Sequence, residues 1–142
     1  MEINGIAHVM LTVSDYEACL PFYERLLEFL GLRPVFKMEG YLYCVGGRTA
    51  VGIVRGDERH RAERFVQTRI GLHHLCFRAR ERADVDAIYE FLQTIGATVV
   101  HPPEEGAWAP GYYSVLFEDP DGIRLEVNHV PGKGLLKDAP PT

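Results

Sequence analysis

The sequence predicts an α+β protein of two tandem βαβββ modules, whose strands form a cupped mixed sheet with the helices on its outer face. A strand-like run is followed by a helical pattern and three short strand-like runs, and this order occurs twice. Sliding the chain by about 66 residues aligns His8 with His74 and the pair Tyr23-Glu24 with Tyr89-Glu90. An internal duplication of this kind outweighs single local assignments when a fold is inferred.

The first module, about residues 4–55, begins with a strand at Ile6–Val13, where β-forming residues predominate. Ser14 or Asp15 can cap the helix that follows, and Gly31 ends it. The apolar residues of this helix recur at helical spacing: Phe22, Tyr23, Leu26, Leu27 and Leu30. Three short strands complete the module: Arg33–Lys37, Tyr41–Val45 and Thr49–Val54.

The second module, about residues 71–131, repeats this order after a polar, aperiodic linker at about residues 56–70. A strand at Leu72–Ala79 precedes a helix at Ala83–Ile95, which Gly96 closes. Three strands follow: Ala97–His101, Tyr112–Glu118 and Ile123–Val130, with the loop PPEEGAWAPG between the first two and the turn DPDG between the last two. Residues 132–142 have the proline and glycine content of a frayed tail. The two modules, the linker and the tail together are expected to form a single domain.

Composition and charge narrow the function classes. The 142 residues are 46% hydrophobic and 25% charged, which is typical of one globular domain. The net charge is -5 and there is no basic stripe, so nucleic acid is not an expected partner. No apolar run reaches the ~18 residues that span a bilayer, and no signal-peptide pattern is seen, so we expect a cytoplasmic protein without a membrane partner. The three cysteines stand in apolar contexts and are predicted to be reduced packing residues: Cys19, Cys44 and Cys76.

Three strands agree in placing chemistry-bearing residues on one face. Successive side chains of a strand point to opposite faces. In the three strands that carry His8, His74 and Glu126, the side chains on the opposite face are all apolar. Two imidazoles and a carboxylate on one surface form a set that holds a divalent metal and leaves coordination positions open. A lone strand histidine is more often a hydrogen-bonded interior residue, but the agreement of three strands favours metal binding.

Other polar residues keep alternatives open. His73 is predicted to be a neighbour of the site, or the ligand in place of His74. His101, near a strand end, is a candidate pocket residue, whereas His60 and His129 are predicted to be exposed. Arg124 shares the face of Glu126 and can pair with that carboxylate or with a substrate anion.

The order of elements, with FYERLL in the first module and FEDPDGIRLEV in the second, resembles the vicinal oxygen chelate superfamily. This group includes glyoxalase I, bleomycin-resistance proteins, fosfomycin-resistance enzymes and extradiol dioxygenases. The resemblance runs from about Ile6 to Val130 and implies metal ligands on the first strand of each module and the last strand of the second. His8, His74 and Glu126 stand at those places. The resemblance also implies one divalent ion (Zn, Ni, Mn, Fe or Co) and a homodimer whose sites can be shared between chains.

The chain departs from these relatives at their acid–base residues. Glyoxalase I has a fourth ligand, a glutamate, near the position of Ile53, where no carboxylate stands here. Fosfomycin-resistance enzymes and extradiol dioxygenases carry a tyrosine where this chain has Leu116, and the dioxygenases carry a histidine in the region of Trp108-Ala109-Pro110. Tyr112 and Ser114 share the strand parity of Leu116 and could substitute.

We therefore expect a metal-dependent enzyme whose small substrate chelates the ion through neighbouring oxygens. Lyase or isomerase chemistry of the glyoxalase type is favoured, and Fe(II) ring cleavage is the next possibility. Glu126 and Tyr112 are the predicted catalytic residues, and the loop 104–111 is either a gate or a surface loop. The predicted substrate-binding residues are Trp108, Arg124, Tyr43 and Ser114. The alternative is a metal-free protein that sequesters an antibiotic by stacking on Tyr43, Trp108 and Tyr112.

Overall fold

The computed structural model describes residues 1–134, which form two compact units. The first unit is Met1–Phe65 and the second begins at Val66. Each unit contains one helix and one four-stranded mixed sheet in the order strand, helix and three strands, so the predicted α+β class with two βαβββ modules is confirmed. Most of the predicted tail, from residue 135 onward, lies outside the described residues. Neither helix within residues 1–134 has the length and apolar character needed to span a bilayer.

The first unit contains β1 (Val9–Val13), α1 (Tyr16–Phe29), β2 (Arg33–Met38), β3 (Tyr41–Gly46) and β4 (Thr49–Arg55), followed by a single 3₁₀ turn at Glu58–His60. The sheet has the order β1-β4-β3-β2, with β1 parallel to β4 and the other pairs antiparallel. Asp15 is the N-cap of α1, because its carboxylate accepts a 3.0 Å hydrogen bond from the Ala18 amide. Gly31 follows the helix with φ of 81°, a conformation that glycine adopts without steric cost.

The second unit repeats this plan: β5 (Leu75–Arg78), α2 (Arg82–Thr94), β6 (Thr98–Glu105), β7 (Tyr113–Glu118) and β8 (Arg124–His129). The sheet has the order β5-β8-β7-β6, and β5 is parallel to β8. At the start of α2, the Asp84 carboxylate accepts a 2.9 Å hydrogen bond from the Glu81 amide. The two sheets therefore have the same strand order and the same direction of pairing.

Each helix packs on the apolar face of its own sheet, as the alternation of residues predicts. The buried residues of α1 are Tyr16, Cys19, Phe22, Tyr23, Leu26 and Leu27, and those of α2 are Val85, Ile88 and Leu92. On the strands, Leu11 and Val13 in the first unit and Leu125 and Val127 in the second are also buried. The core of each unit thus lies between its helix and one sheet face, and the other face is free to carry polar residues.

Three strand boundaries differ from the predictions by three residues or more. The ladders begin at Val9 and Leu75, so His8 and His74 each stand one residue before a first strand rather than inside it. The loop predicted to begin at Pro102 is instead part of β6, which continues to Glu105. Proline has no amide hydrogen for a ladder, but β6 is an edge strand with register shifts in this stretch, and both features accommodate proline.

Candidate functional site

The register of the second sheet places four side chains in a line across the strands. Cys76 of β5 pairs with Glu126 of β8, Glu126 pairs with Leu116 of β7, and Leu116 pairs with His101 of β6. Paired residues point to the same face, and this face is opposite the one on which Leu125 packs under α2. We call these four residues the site row.

Glu126 is the centre of the site row. It is 8% exposed, and its Oε1 accepts a hydrogen bond from the Tyr112 hydroxyl. The Cys76 thiol lies beside the same carboxylate. Its Oε2 lies 3.3 Å from Nε2 of His74. A buried carboxylate requires such partners, and here they come from two parts of the second unit, the start of β5 and the residue before β7. The structure therefore brings together three residues that sequence reasoning selected: His74, Tyr112 and Glu126.

The far side of the His74 ring is also occupied. Its Nδ1 lies 2.8 Å from Nδ1 of His73, which in turn lies 3.3 Å from Nε2 of Gln67. His74, not His73, is thus the imidazole whose Nε2 faces Glu126 at 3.3 Å. The role of Gln67 was missed because it stands in the linker, where no periodic pattern relates it to the strand.

Burial and Glu126 together shift two acids of the site. Burial and the hydrogen bond to Glu126 raise the pKa of Tyr112 to about 12. Burial, with a smaller contribution from Glu126, raises the pKa of the Cys76 thiol to about 12. The protonated Tyr112 hydroxyl donates to the carboxylate, whereas the Cys76 thiol, beside the same carboxylate, donates to the Phe77 carbonyl oxygen at 3.7 Å.

Cys76 is not the packing residue that the sequence predicts. Cys19 and Cys44 are buried as expected, but Cys76 is exposed. The residue is exposed to solvent, while protein atoms crowd its thiol and raise the pKa. The reason is that β5 is an edge strand and Cys76 faces away from α2. The apolar neighbours Leu75 and Phe77 hid this orientation in the sequence.

The His74–Glu126 pair fits two ligands of one divalent ion. Metal bonds to imidazole nitrogen and carboxylate oxygen are about 2.0–2.2 Å long, so adjacent ligands lie roughly 3 Å apart. The observed 3.3 Å between Nε2 and Oε2 agrees with that spacing. Among residues 1–134 no group of three or more His, Cys, Asp or Glu side chains is arranged to hold a metal ion. The second unit therefore offers a facing pair of donors of the type that divalent metals accept.

His8 belongs to an aromatic group in the first unit. Its ring lies edge-on to Tyr43, with centroids 6.1 Å apart, and Tyr43 lies 6.2 Å from Phe36 on the neighbouring strand. Tyr43 and Phe36 are paired residues of β3 and β2, so they share one face of the sheet. The metal-ligand role of His8 and the substrate-binding role of Tyr43 stay predictions.

The other predicted substrate-binding residues lie around the second sheet. Ser114 is buried and pairs with Asn128 on β8, two residues along from the site row. Arg124 forms a 2.9 Å ion pair with Glu118 on β7, which is the carboxylate it meets instead of Glu126. Trp108 is 79% exposed in the turn after β6. The binding roles of these three residues, and the gate role of the Trp108 loop, stay predictions.

The first unit has no carboxylate at the position that corresponds to Glu126. Met10 and Gly52 pair on β1 and β4 as Cys76 and Glu126 pair on β5 and β8, so the corresponding residue is Gly52 and not Ile53. Ile53 is fully buried. A Cβ atom on Gly52 would lie 2.6 Å from the Leu42 carbonyl oxygen and 2.7 Å from the Met10 sulfur. The Met10 side chain therefore covers the place where a second carboxylate would stand.

Comparison with known proteins decides the family. The model of the Glyoxalase/Bleomycin resistance protein/Dioxygenase superfamily matches residues 5–127, which include most of both units. The chain belongs to this superfamily. The resemblance inferred from FYERLL, DPDGIRLE and the duplicated order of elements is therefore confirmed.

Two curated relatives cover most of the chain. The uncharacterized protein YqjT of Bacillus subtilis (strain 168) is 32% identical over 121 residues, which are 84% of this chain and 94% of YqjT. The metallothiol transferase FosB of Shouchella clausii (strain KSM-K16) is 27% identical over 126 residues, which are 89% of this chain and 80% of FosB. Both alignments extend over the two units rather than over one of them.

Solved structures of superfamily members share the fold. A candidate glyoxalase from Bacillus halodurans has a TM-score of 0.78 at 28% identity, covering 89% of this chain and 96% of its own. The lactoylglutathione lyase from Agrobacterium tumefaciens has a TM-score of 0.67 at 26% identity, covering 91% of this chain and 96% of its own. The duplicated plan of helices and strands is thus common to this chain and to these members of the superfamily.

Proposed function

We propose that the chain is a metal-dependent enzyme in which His74, Glu126 and His8 hold one divalent ion. The observation that carries this proposal is the 3.3 Å approach of His74 Nε2 to Glu126 Oε2. The similarity to FosB, a metallothiol transferase, supports it. His8 directly precedes β1 as His74 directly precedes β5, which supports a common role for the two imidazoles. His8 completes the set within the same chain or from the second copy in a homodimer.

The substrate of this enzyme carries neighbouring oxygens. A bound divalent ion acts as a Lewis acid that stabilises negative charge on such oxygens. Tyr112, whose pKa is raised to about 12, is protonated at neutral pH, and it serves as the general acid toward a developing oxyanion. Glu126 orients Tyr112 through the hydrogen bond that it accepts from the hydroxyl.

Lyase or isomerase chemistry of the glyoxalase type is the reaction we favour, and the similarity to lactoylglutathione lyase supports it. Gly52 leaves the first unit without a carboxylate base at this position, so we assign proton transfer to Tyr112, with Glu126 as its hydrogen-bond partner. The similarity to FosB supports a second candidate, which is addition of a thiol to an oxygen-bearing substrate. If the protein instead cleaves aromatic rings with Fe(II), or binds an antibiotic without a metal, that activity would replace both candidate reactions.

A cytoplasmic location and a homodimer are part of the same proposal. No disulfide joins Cys19, Cys44 and Cys76 within residues 1–134, and cysteines kept as thiols are typical of a reducing compartment. A small-molecule substrate is expected, because members of this superfamily are named for reactions on small molecules. The oligomeric state is measured by light scattering of the purified chain.

Elemental analysis of protein purified without chelators tests the proposal. We expect one divalent ion per wild-type chain, a His74→Ala variant without it, and a His60→Ala variant that retains it, because His60 pairs with Glu63 in the linker. Turnover of methylglyoxal–thiol adducts, catechols and fosfomycin with each metal then identifies the reaction. Tight binding of an antibiotic by metal-free wild-type protein, without turnover, would replace the enzyme by a sequestering protein.

A further inference from the structure

The hydrogen bonds beyond His74 determine which of its nitrogens carries a proton. An amide nitrogen can only donate, so Gln67 Nε2, at 3.3 Å, donates to Nδ1 of His73. Nδ1 of His73 therefore carries a lone pair and no proton. The 2.8 Å contact between the two Nδ1 atoms then requires the proton to be on Nδ1 of His74. Neutral His74 is left with an unprotonated Nε2.

That unprotonated Nε2 is the atom that faces Glu126 Oε2 at 3.3 Å. The carboxylate oxygens of Glu126 also carry lone pairs, and the groups beside them are Tyr112 and Cys76. The lone pairs of His74 Nε2 and of Glu126 therefore point at the same position. Two acceptors that face each other attract a cation and not each other. In metal sites, the partner of the second ring nitrogen fixes the tautomer and the ring orientation of a ligating histidine.

The backbone conformation of the linker brings Gln67 close to His73. Gln67 and His73 are six residues apart, and the chain turns back between them through Thr68–Gly71. Gly71 has φ of 135°, a conformation that side-chain-bearing residues rarely adopt. The reversal brings the half-buried Gln67 amide to the His73 ring, and His73 to the His74 ring.

We propose that His73 is a positioning residue, which with Gln67 holds His74 in the Nδ1–H tautomer and aims its Nε2 at the metal position beside Glu126. This inference rests on the proposed function. It explains why two histidines are adjacent at the start of β5: one is the ligand, and its neighbour fixes the tautomer of the ligand. Gln67 acts one step further out, through His73.

Two measurements on the full chain test the role of His73. The first is the long-range ¹H–¹⁵N imidazole spectrum of metal-free protein, in which we expect His74 as the Nδ1–H tautomer in the wild type and a mixture in His73→Ala. The second is the dissociation constant for Zn²⁺, which we expect to rise about tenfold in His73→Ala. Outer partners of metal ligands contribute about 10–100-fold, and the lower value applies because His73 and His74 are exposed. His73→Gln retains an acceptor for the Nδ1 proton and should recover most of the affinity, and Gln67→Ala should have a smaller effect than His73→Ala.

The two measurements separate this inference from the proposed function. His60→Ala, an exposed linker histidine, is the matched control and should leave both readouts unchanged. An Nε2–H tautomer in wild-type protein, or a Zn²⁺ affinity of His73→Ala equal to that of the wild type, overturns the role of His73. Failure of wild-type protein to bind any divalent ion overturns the proposed function, and the tautomer spectrum still decides whether His73 orients His74.

Discussion

The two units have the same sheet order and the same helical cover, but they differ in one line of residues across the face opposite the helix. In the second unit this line is the site row: Cys76, Glu126, Leu116 and His101. In the first unit the corresponding line is Met10, Gly52, Tyr43 and Phe36. A carboxylate at the centre of one line is thus replaced by a glycine at the centre of the other.

This difference shows which part of a duplicated fold is fixed and which is free to vary. Residues that pack under the helix, such as Leu11 in the first unit and Leu125 in the second, must stay apolar because they form the core. The opposite face carries no such requirement. The first unit uses it to lay Met10 over Gly52 beside aromatic rings, and the second uses it to hold a buried charge with three partners.

Replacing the central carboxylate of the site row should have the largest effect. We expect Glu126→Gln to weaken binding of a divalent ion by more than about 100-fold, because even the outer partners of a ligand contribute about 10–100-fold. Calorimetric titration of chelator-treated protein measures this. Met10→Leu, a volume-conserving change in the corresponding line of the first unit, is the control and should bind as the wild type does. Equal losses in both variants would mean that the two lines are not functionally different.

Removing the Tyr112 hydroxyl should reduce turnover without removing the metal. Tyr112→Phe takes away the general acid, so we expect the turnover number to fall about 10²–10⁴-fold on the substrate found by the screen. Metal content, determined on the same preparation, should be unchanged. Tyr89→Phe, on the half-buried side of α2, is the matched control. Turnover of Tyr112→Phe equal to that of the wild type would assign proton transfer to another group.

The cores of the two units should respond alike to the same change. Leu26 and Leu92 are fully buried and occupy corresponding positions of α1 and α2, 66 residues apart. We expect Leu26→Ala and Leu92→Ala each to lower the free energy of unfolding by about 2–5 kcal/mol. Urea denaturation followed by circular dichroism measures this, with the exposed Ile70→Ala as a control below about 0.5 kcal/mol. A loss of unfolding free energy in only one of the two variants would contradict the structural equivalence of α1 and α2.

A side chain at the glycine of the first line should be costly. Gly52→Ala places a Cβ atom 2.6 Å from the Leu42 carbonyl oxygen and 2.7 Å from the Met10 sulfur, so we expect a loss of about 1–3 kcal/mol in unfolding free energy. The double variant Met10→Ala/Gly52→Ala relieves the contact with sulfur but keeps the contact with the carbonyl oxygen. In the same denaturation experiment, the part of the lost unfolding free energy that comes from the Leu42 contact should therefore remain in the double variant. A neutral Gly52→Ala would show that a side chain, and hence a carboxylate, fits at this position.

The smallest effect is expected at the Cys76 thiol. Its pKa of about 12, raised by burial and then by Glu126, leaves little thiolate at pH 8 although the residue is exposed. Glu126→Gln removes the nearby charge and lowers the pKa toward its ordinary value, which raises the thiolate fraction at pH 8 about tenfold, and the rate with a disulfide reagent roughly threefold, for each pKa unit recovered. The measurement uses metal-free protein, and Cys76→Ser gives the background from the buried Cys19 and Cys44. An unchanged rate would mean that Glu126 does not influence the thiol.

Much of the fold could be predicted because it follows from local patterns. The constant offset of about 66 residues holds for the first strand and the helix of each unit, and both helices begin and end within a residue or two of the predicted bounds. Alternation along β8 was sufficient to place Glu126 on the face away from α2. These features depend on which residues face a helix, and a sequence records that information directly.

The missed features depend on which strands are neighbours. The offset fails in the later strands, where the second unit has longer connections, so the sequence placed the counterpart of Glu126 near Ile53, and the register identifies it as the adjacent Gly52. The edge positions of β5 and β6 explain the exposed Cys76 and the prolines inside β6. Gln67 reaches the His73 ring because the chain reverses direction at Gly71. No periodic pattern in the sequence predicts this reversal.

Paramagnetic broadening by Mn²⁺ in ¹⁵N-labelled, metal-free protein tests most directly the claim that a divalent ion binds beside His74 and Glu126. At substoichiometric Mn²⁺, we expect the amide signals of His74, Cys76 and Glu126 to broaden first, with that of His8 if it supplies the third ligand. The same experiment on Glu126→Gln should show no such selective loss. Broadening centred on the acidic turn at Asp119–Asp121, or equal in both proteins, would contradict the account.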